Sequence, residues 1–446
     1  MVSSRNSNSL DLAHRLAGRL AQLIPPHSTI LIAYSGGVDS VVLLHILHHL
    51  AQRNSWQLSA LHVHHGISPD ADAWAECCEQ RCAAYNISFH LERIDIGPLR
   101  DQGIEAAARQ LRYQAFAKHH CDFLALAHHA DDQAETLLLQ LLRGSGVRGA
   151  SAMPMLVQRD VCWLRPLLAC TRAEIVAYAQ RHHLSWIEDG SNADDSYPRN
   201  FLRHQVFPVL AQRFPAYRQT LARSAQHFAE ASELLDDLAQ LDAVRAITGQ
   251  TLQVAALKAL STARAKNLLR YFLLQRAAPM PQSVQVEDML QQLCHARGDA
   301  ELCISYAGWE VHRYQGEVYI GRALPQLDSS LRLAWQGESS LFWPALDAHI
   351  EFIATRGQGI SLAKLRAATV TVRVRQGGES LRPHARATTR KLKNWLQEQH
   401  ILPWLRDRAP LLFCGEVLVC VPGAVAAEFQ ADADEEAIAM QVTPRS

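Results

Sequence analysis

The sequence has no net charge, no CxxC pair, no low-complexity tract, no internal repeat and no apolar run long enough to cross a membrane. Lysine plus arginine equals aspartate plus glutamate, 44 against 44, so any nucleic-acid partner must be held by a local basic surface rather than by the field of the whole molecule. A spanning helix needs about 20 uninterrupted apolar residues, and the best stretch, 410 to 427, is broken by Gly415, Glu416 and Gly423. The first ten residues are polar and lack the apolar centre of a signal peptide. A cytoplasmic protein without membrane association is expected. The ten cysteines sit mostly within apolar runs, which suits reduced core thiols better than zinc ligands or disulfides.

What is present is the composition of a globular chain, 48% hydrophobic and 20% charged over 446 residues. That length is too great for one hydrophobic core and implies several domains. From Ser28 to about Leu210, short apolar strands alternate with amphipathic helices, the pattern of a parallel α/β sheet with crossover helices. Strands are expected at 29–34, 58–64, 88–91 and 122–127, and a Thr171-x-x-Glu174 capping box should open a helix over 172–183. From Ala216 the periodicity becomes helical, with Leu234, Leu235 and Leu238 on one face and Leu268, Leu269, Phe272 and Leu273 on another. Strand-like alternation returns at 302–306 and 311–319 and dominates from Leu331. The expected fold is α/β: a parallel-sheet nucleotide-binding domain (1–215), a helical domain (216–324) and a small β-rich C-terminal domain (325–446).

The first expected strand runs into Ser35-Gly36-Gly37-Val38-Asp39-Ser40 and then into a helix beginning near Val41. Glycines let backbone N–H groups approach a phosphate, the serines add hydroxyl donors, and the helix dipole favours negative charge. No lysine follows the glycines, so this is not the GxxxxGK[ST] loop. On the next helices, Glu105, Arg109 and Arg112 are spaced to share one face, as are His128, Asp132 and Glu135, with Asp131 four residues before Glu135. Several acids at one helix start repel one another and are better tolerated around a cation such as Mg²⁺ or an ammonium group. Open sheets bind ligands beyond the strand carboxyl ends, where this acid cluster and the glycine loop would both lie.

These residues resemble the SGGxDS signature of the PP-loop ATP pyrophosphatases. Further segments narrow the likeness: His62-Val63-His64-His65-Gly66, Ala127-His128 through Glu135-Thr136, Arg143-Gly144-Ser145-Gly146, Arg165-Pro166-Leu167-Leu168, Asp189-x-Ser191-Asn192, and Tyr197-x-Arg199-Asn200-x-x-Arg203. In that order they are similar to the tRNA(Ile)-lysidine synthetase family, densely over 20–215 and again from Gly377 to Trp404, with Ser68 where many relatives carry arginine. The resemblance implies ligation of L-lysine to C2 of the wobble cytidine of tRNA(Ile) with a CAU anticodon, through an adenylated intermediate, with release of AMP and pyrophosphate. It implies ATP as substrate at Ser35, Gly36, Gly37, Val38, Asp39 and Ser40. Arg109 and Arg112 would hold ATP or the adenylate, and His128, Asp132 and Glu135 would join Asp39 in catalysis, with Mg²⁺ at Asp39 and Asp132. Glu135 or Asp132 would act as base; spacing does not choose between them. Arg199 and Arg203 are expected on the tRNA, and so are Arg390, Lys391 and Lys393, from the basic stretch 382–408 with its two tryptophans. A homodimer is left open. The alternative is a tRNA 2-thiolation enzyme of the same fold, which would need paired catalytic cysteines near ATP, where Cys78 and Cys82 look like core.

Overall fold

The computed structural model describes residues 12–66, 68–95, 97, 104–188, 194–296 and 302–444, excluding the side chains of 104–106 and 444. The side chain of Glu105 and the Asp189-x-Ser191-Asn192 segment lie outside the described residues. The chain forms two compact units, residues 1–235 and 236–446.

In the first unit α1 (Leu12–Leu23) leads into β1 (Thr29–Ala33), α2 (Val38–Asn54), β2 (Gln57–His64), α3 (Ala71–Ala84) and β3 (Ser88–Arg93). Then come α4 (Ile104–Ala117), β4 (Phe123–Ala125), α5 (Ala130–Leu142), α6 (Val147–Ala150), β5 (Leu156–Val157), β6 (Cys162–Leu164) and α7 (Arg172–Arg181). The six strands lie in the order β3-β2-β1-β4-β6-β5, all parallel except β5. Alternate residues of β1 feed opposite faces: Ile30 and Ile32 join the core with Leu43, Leu44 and Leu47 of α2, while Leu31 joins Leu61, Phe116 and Leu124. Helix α2 is apolar nearly all round because it packs against β2, α1 and α7 together. Each fully buried Leu or Ile contributes about 1.5–3 kcal/mol, which fixes the strand ends that carry the loops. The order reverses at β1, whose neighbours are β2 and β4, so the crevice between the β1 and β4 carboxyl ends is the switch point.

The unit continues through α8 (Pro198–Phe201), a π-helical turn, α9 (Phe207–Arg213) and α10 (Tyr217–Ala246), within which the unit boundary falls. Leu234 and Leu235, expected on a packed face, are exposed; α10 instead buries the alanines Ala225, Ala239 and Ala246. Their spacings of fourteen and seven residues keep them on one stripe of the helix.

The second unit begins with β7 (Ile247–Thr248), β8 (Thr251–Gln253), α11 (Val254–Ala259), α12 (Thr262–Gln275) and α13 (Ser283–His295), followed by β9 (Leu302–Tyr306), β10 (Trp309–Tyr314) and β11 (Glu317–Arg322). The alternation seen at 302–319 becomes β9 to β11, and the two short strands β7 and β8 complete a five-stranded antiparallel sheet, β7-β8-β11-β10-β9. Its core includes Leu268, Leu269, Phe272 and Leu273 of α12 with Met289 and Leu293 of α13. Two further antiparallel sheets make the β-rich C-terminal part. One comprises β12 (Arg332–Trp335), β16 (Val370–Arg373), β19 (Leu411–Cys414), β20 (Val417–Val421) and β21 (Ala424–Val425). The other comprises β13 (Ser340–Trp343), β14 (Ala348–Arg356), β15 (Ile360–Ser361) and β22 (Glu436–Pro444), and a small β17–β18 hairpin (Ser380–Leu381, Arg390–Lys391) adjoins the helix at Leu392–Glu398. Among the described residues no helix is long and apolar enough to cross a membrane.

Candidate active site

The loop after β1 is tighter than its sequence pattern suggests. Helix α2 already begins at Val38, with Gly37 in extended conformation at the N-cap and no side-chain cap. Val38, Asp39 and Ser40 therefore form the first turn, whose N–H groups have no carbonyl partner within the helix and are free for an anion. Gly36 is required twice over. Its φ is +84°, and a Cβ there would lie 2.5 Å from Ile187 Cδ1 and 2.8 Å from Cys78 Sγ. The Gly36 carbonyl accepts from Ile187 N at 3.0 Å, Ser40 Oγ donates to the Gly37 carbonyl at 2.9 Å, and the Ser35 and Ser40 hydroxyls lie 3.2 Å apart.

The acids are gathered around a histidine that the sequence pattern does not single out. His129 is the N-cap of α5 in a reciprocal capping box: its Nδ1 accepts from Asp132 N (3.4 Å) and its N–H donates to Asp132 Oδ2 (3.0 Å). With Nδ1 accepting, the ring proton sits on Nε2, which faces Asp132 Oδ2 at 3.5 Å and Asp39 Oδ1 at 3.6 Å. Asp39 thus joins the glycine loop to the acid cluster, and its buried Oδ1 has no hydrogen-bond partner among the described residues. Burial raises the Asp39 pKa, opposed by His129 and Arg172. For Asp132 burial works in the same upward sense but is outweighed by His129, His128, the His129 N–H and Arg199, so its pKa is lowered. Glu135 is fully buried, and burial holds its pKa up against the pull of Arg203. Arg203 Nε donates to Glu135 Oε1 at 2.9 Å with Nη2 at 2.8 Å, and Nη2 lies 3.7 Å from Asp132 Oδ1; Glu135 Oε2 has no hydrogen-bond partner among the described residues.

Several expected residues prove to have local work. His128 stands in the turn ahead of α5, because the helix starts only at Ala130; its Nδ1 has no hydrogen-bond partner among the described residues, and burial with nearby Arg165 and Arg109 lowers its pKa to about 4. Asp131 Oδ2 accepts from Arg172 N at the start of α7 (2.9 Å) and lies 3.7 Å from His129 Nδ1, while Oδ1 accepts from Arg218. Arg199 reaches Thr136 Oγ1 at 3.4 Å. Arg112 donates to His65 Nε2 at 3.4 Å, and burial followed by the Arg112 charge lowers the His65 pKa to about 4. Arg109 lies over the Tyr113 ring at 5.0 Å. Ser68 accepts from Asp70 N at 3.2 Å, just ahead of α3. A cleft of about 450 Å³ opens beside the cluster, lined among others by Asp131, Glu135, Arg172, Arg203, Tyr217 and Arg218. Besides His129, Arg172 and Arg218 were not anticipated; the backbone and side chain they contribute come from elements that only the fold brings near α5.

In the basic stretch, Arg406 and Arg408 bond backbone carbonyls, while Arg382 and Arg390 pair with Glu428 and Glu398. Arg386, Lys391 and Lys393 are exposed and make no ion pair among the described residues.

A switch-point loop offering a bare helix N-terminus, adjoined by buried carboxylates, defines a nucleotide-using domain of the PP-loop class, and residues 12–210 match the PP-loop domain family. Residues 252–319 match the TilS substrate binding domain and 370–442 the TilS substrate C-terminal domain. The chain is 40% identical over 427 residues to a tRNA(Ile)-lysidine synthase of Nitrosomonas europaea, covering 95% of this chain and 93% of that protein. To the synthase of that name from Coxiella burnetii it is 39% identical, covering 94% of each. The chain belongs to the tRNA(Ile)-lysidine synthase family.

Proposed function

We infer that this chain is an ATP-dependent ligase that joins L-lysine to C2 of the wobble cytidine in the CAU anticodon of tRNA(Ile). The observation that carries the reading is the junction at Asp39, where an uncapped helix N-terminus suited to phosphates meets a buried acid cluster suited to an amine. Cytosine O2 attacks the α-phosphorus of ATP and the α–β bridge breaks, so pyrophosphate leaves and O2 carries AMP. The lysine side-chain nitrogen then attacks C2, the C2–O2 bond breaks, AMP departs and the nitrogen loses its proton. Deprotonating an amine of pKa about 10.4 at pH 7 costs about 4–5 kcal/mol. Glu135, with a raised pKa and an unpartnered Oε2, is placed to accept that proton, while Asp132 stays ionised. The cleft, with carboxylates and guanidinium groups on its walls, suits a zwitterionic amino acid.

The unpartnered Asp39 Oδ1 fits a divalent cation, and Asp39 with Asp132 would hold Mg²⁺, which supplies charge neutralisation for the phosphates. The backbone of Gly37 to Ser40 orients them, with Arg109 and Arg112 as added cations. Arg199 and Arg203 border the cluster where the anticodon base must enter, and Arg390, Lys391 and Lys393 give tRNA a remote basic contact. Thiolation is disfavoured: Cys78 and Cys82 are buried, and burial pushes their thiols up to about 12 and 11. Incubation with ATP, each amino acid singly and bulk tRNA tests the reading. AMP and pyrophosphate should appear only with lysine and tRNA together in full turnover; ADP and phosphate as products would overturn it.

A further inference from the structure

We propose that Cys303, Glu310 and His312 form a site for a borderline-soft divalent cation of the Zn²⁺ class, on the β9–β10 pair and remote in sequence from the ATP loop. The antiparallel register sets Cys303 directly opposite His312, and Glu310, two residues earlier on β10, shares that face. His312 Nε2 lies 3.9 Å from Cys303 Sγ and 3.0 Å from Glu310 Oε2. All three donor atoms fall within 4.8 Å of one another. Zinc bonds of about 2.3 Å to sulfur and about 2.0–2.1 Å to nitrogen and oxygen, at tetrahedral angles, require S···N and N···O edges of about 3.6 and 3.3 Å. The observed separations each differ from these by only a few tenths of an ångström, within reach of small side-chain rotations.

Three further features favour a ligand there. The His312 ring is stacked on Trp404 at 3.9 Å and 10°, and Tyr319 meets Trp404 edge-on at 5.4 Å, so the imidazole plane is held and Nε2 stays aimed at the other two donors. Gly321 stands opposite Glu310 on β11, and a Cβ there would meet no described residue within 4 Å. A fourth ligand, water or an added group, has an open approach from that side. A thiolate and a carboxylate with a neutral imidazole also match a divalent charge. Cys303 is exposed, so it departs from the reduced core thiols expected of the cysteines as a group. Bound metal would tie β9 to β10 and, through the His312–Trp404 stack, hold the short helix at Pro403–Arg406, whose Arg406 donates to Tyr314 OH at 3.1 Å.

The test is Co²⁺ titration of the chelator-stripped full chain, read by absorption, alongside Zn²⁺ calorimetry. The expected result is a sulfur-to-cobalt charge-transfer band saturating at one equivalent. It should vanish in Cys303→Ser and persist in Cys77→Ser, which removes the other exposed thiol. His312→Gln and Glu310→Gln should each weaken Zn²⁺ by at least about tenfold. Zn²⁺ should raise the thermal midpoint of the parent chain and not that of Cys303→Ser, while equal midpoints in chelator show that the variant is folded. Cobalt absorption without sulfur character, a sulfur band unaffected by Cys303→Ser, or no binding at all would overturn the site and leave a hydrogen-bonded His–Glu pair beside a thiol.

Discussion

Replacing Glu135 by glutamine separates a structural role for this carboxylate from a chemical one. The change keeps shape and an acceptor for Arg203 but removes the charge that meets its guanidinium at 2.8–2.9 Å. Breaking a fully buried pair costs about 3–5 kcal/mol. Here the Arg203 side chain is 27% exposed and also faces Asp132 at 3.7 Å, so about 1–2 kcal/mol is expected. Against a usual stability of about 5–15 kcal/mol the variant should remain folded. If Glu135 accepts the amine proton, lysine transfer should fall by about 10²–10⁴-fold. Single-turnover assays divide the reaction: pyrophosphate release from ATP and tRNA without lysine reports adenylation, and lysidine formation reports the second step. Glu135→Gln should keep adenylation within severalfold and lose transfer. Near-normal transfer, or equal loss of both steps, would refute the assignment.

Asp132→Asn should behave differently, depressing both steps while also costing about 1 kcal/mol of thermal stability, because Asp132 completes the α5 capping box. Gly36→Ala forces a side chain into a left-handed backbone and against Ile187 and Cys78; a loss of about 2–4 kcal/mol in denaturant unfolding and at least tenfold weaker ATP binding are expected. The neutral form of His65 is favoured in the fold, with a pKa near 4 against a usual 6.5. Its contribution is therefore full above pH 6.5 and lost as pH falls toward 4, on the order of 2 kcal/mol after allowing for solvent, and urea midpoints across that window should flatten in His65→Gln. Reversing Lys391 and Lys393 to glutamate should lower the salt slope of tRNA affinity by about one unit for each phosphate that these lysines neutralise; an unchanged slope would make them a solvated face.

The loop at 35–40 could be placed from sequence because its geometry is local: a strand, two glycines and a helix start suffice to say what the backbone offers. The acids at 132 and 135 were legible for the same reason, being close on one helix. What escaped depends on partners distant in the chain. Asp131 lies beside His129 with the other acids, but its bonds to Arg218, 87 residues on, and to the start of α7 could not be read from spacing. His129 gave no signal because histidine is an uncommon N-cap, so its capping-box spacing to Asp132 does not stand out. Strands β5 and β7, two residues each, are too short to show a period. On α10, helical periodicity correctly indicated a helix, but the buried stripe is alanine, so the leucines misdirected the choice of face.

Buried acids this close would be expected to share one fate, yet their surroundings drive them apart. Asp132 accepts the His129 N–H and lies near His128, His129 and Arg199, which together overcome burial and keep it ionised. Glu135 is hydrogen-bonded to Arg203, with Arg199 a lesser influence, and burial prevails. Carboxyls whose environments separate their pKa values are suited to different tasks. On this reading Asp132 holds charge against the phosphates' counter-ion and the incoming ammonium, while Glu135 cycles a proton. Arg203 then sets how far the Glu135 pKa can rise. Arg203→Lys would loosen the two-point contact, so the pH dependence of lysine transfer should move upward while that of adenylation stays in place.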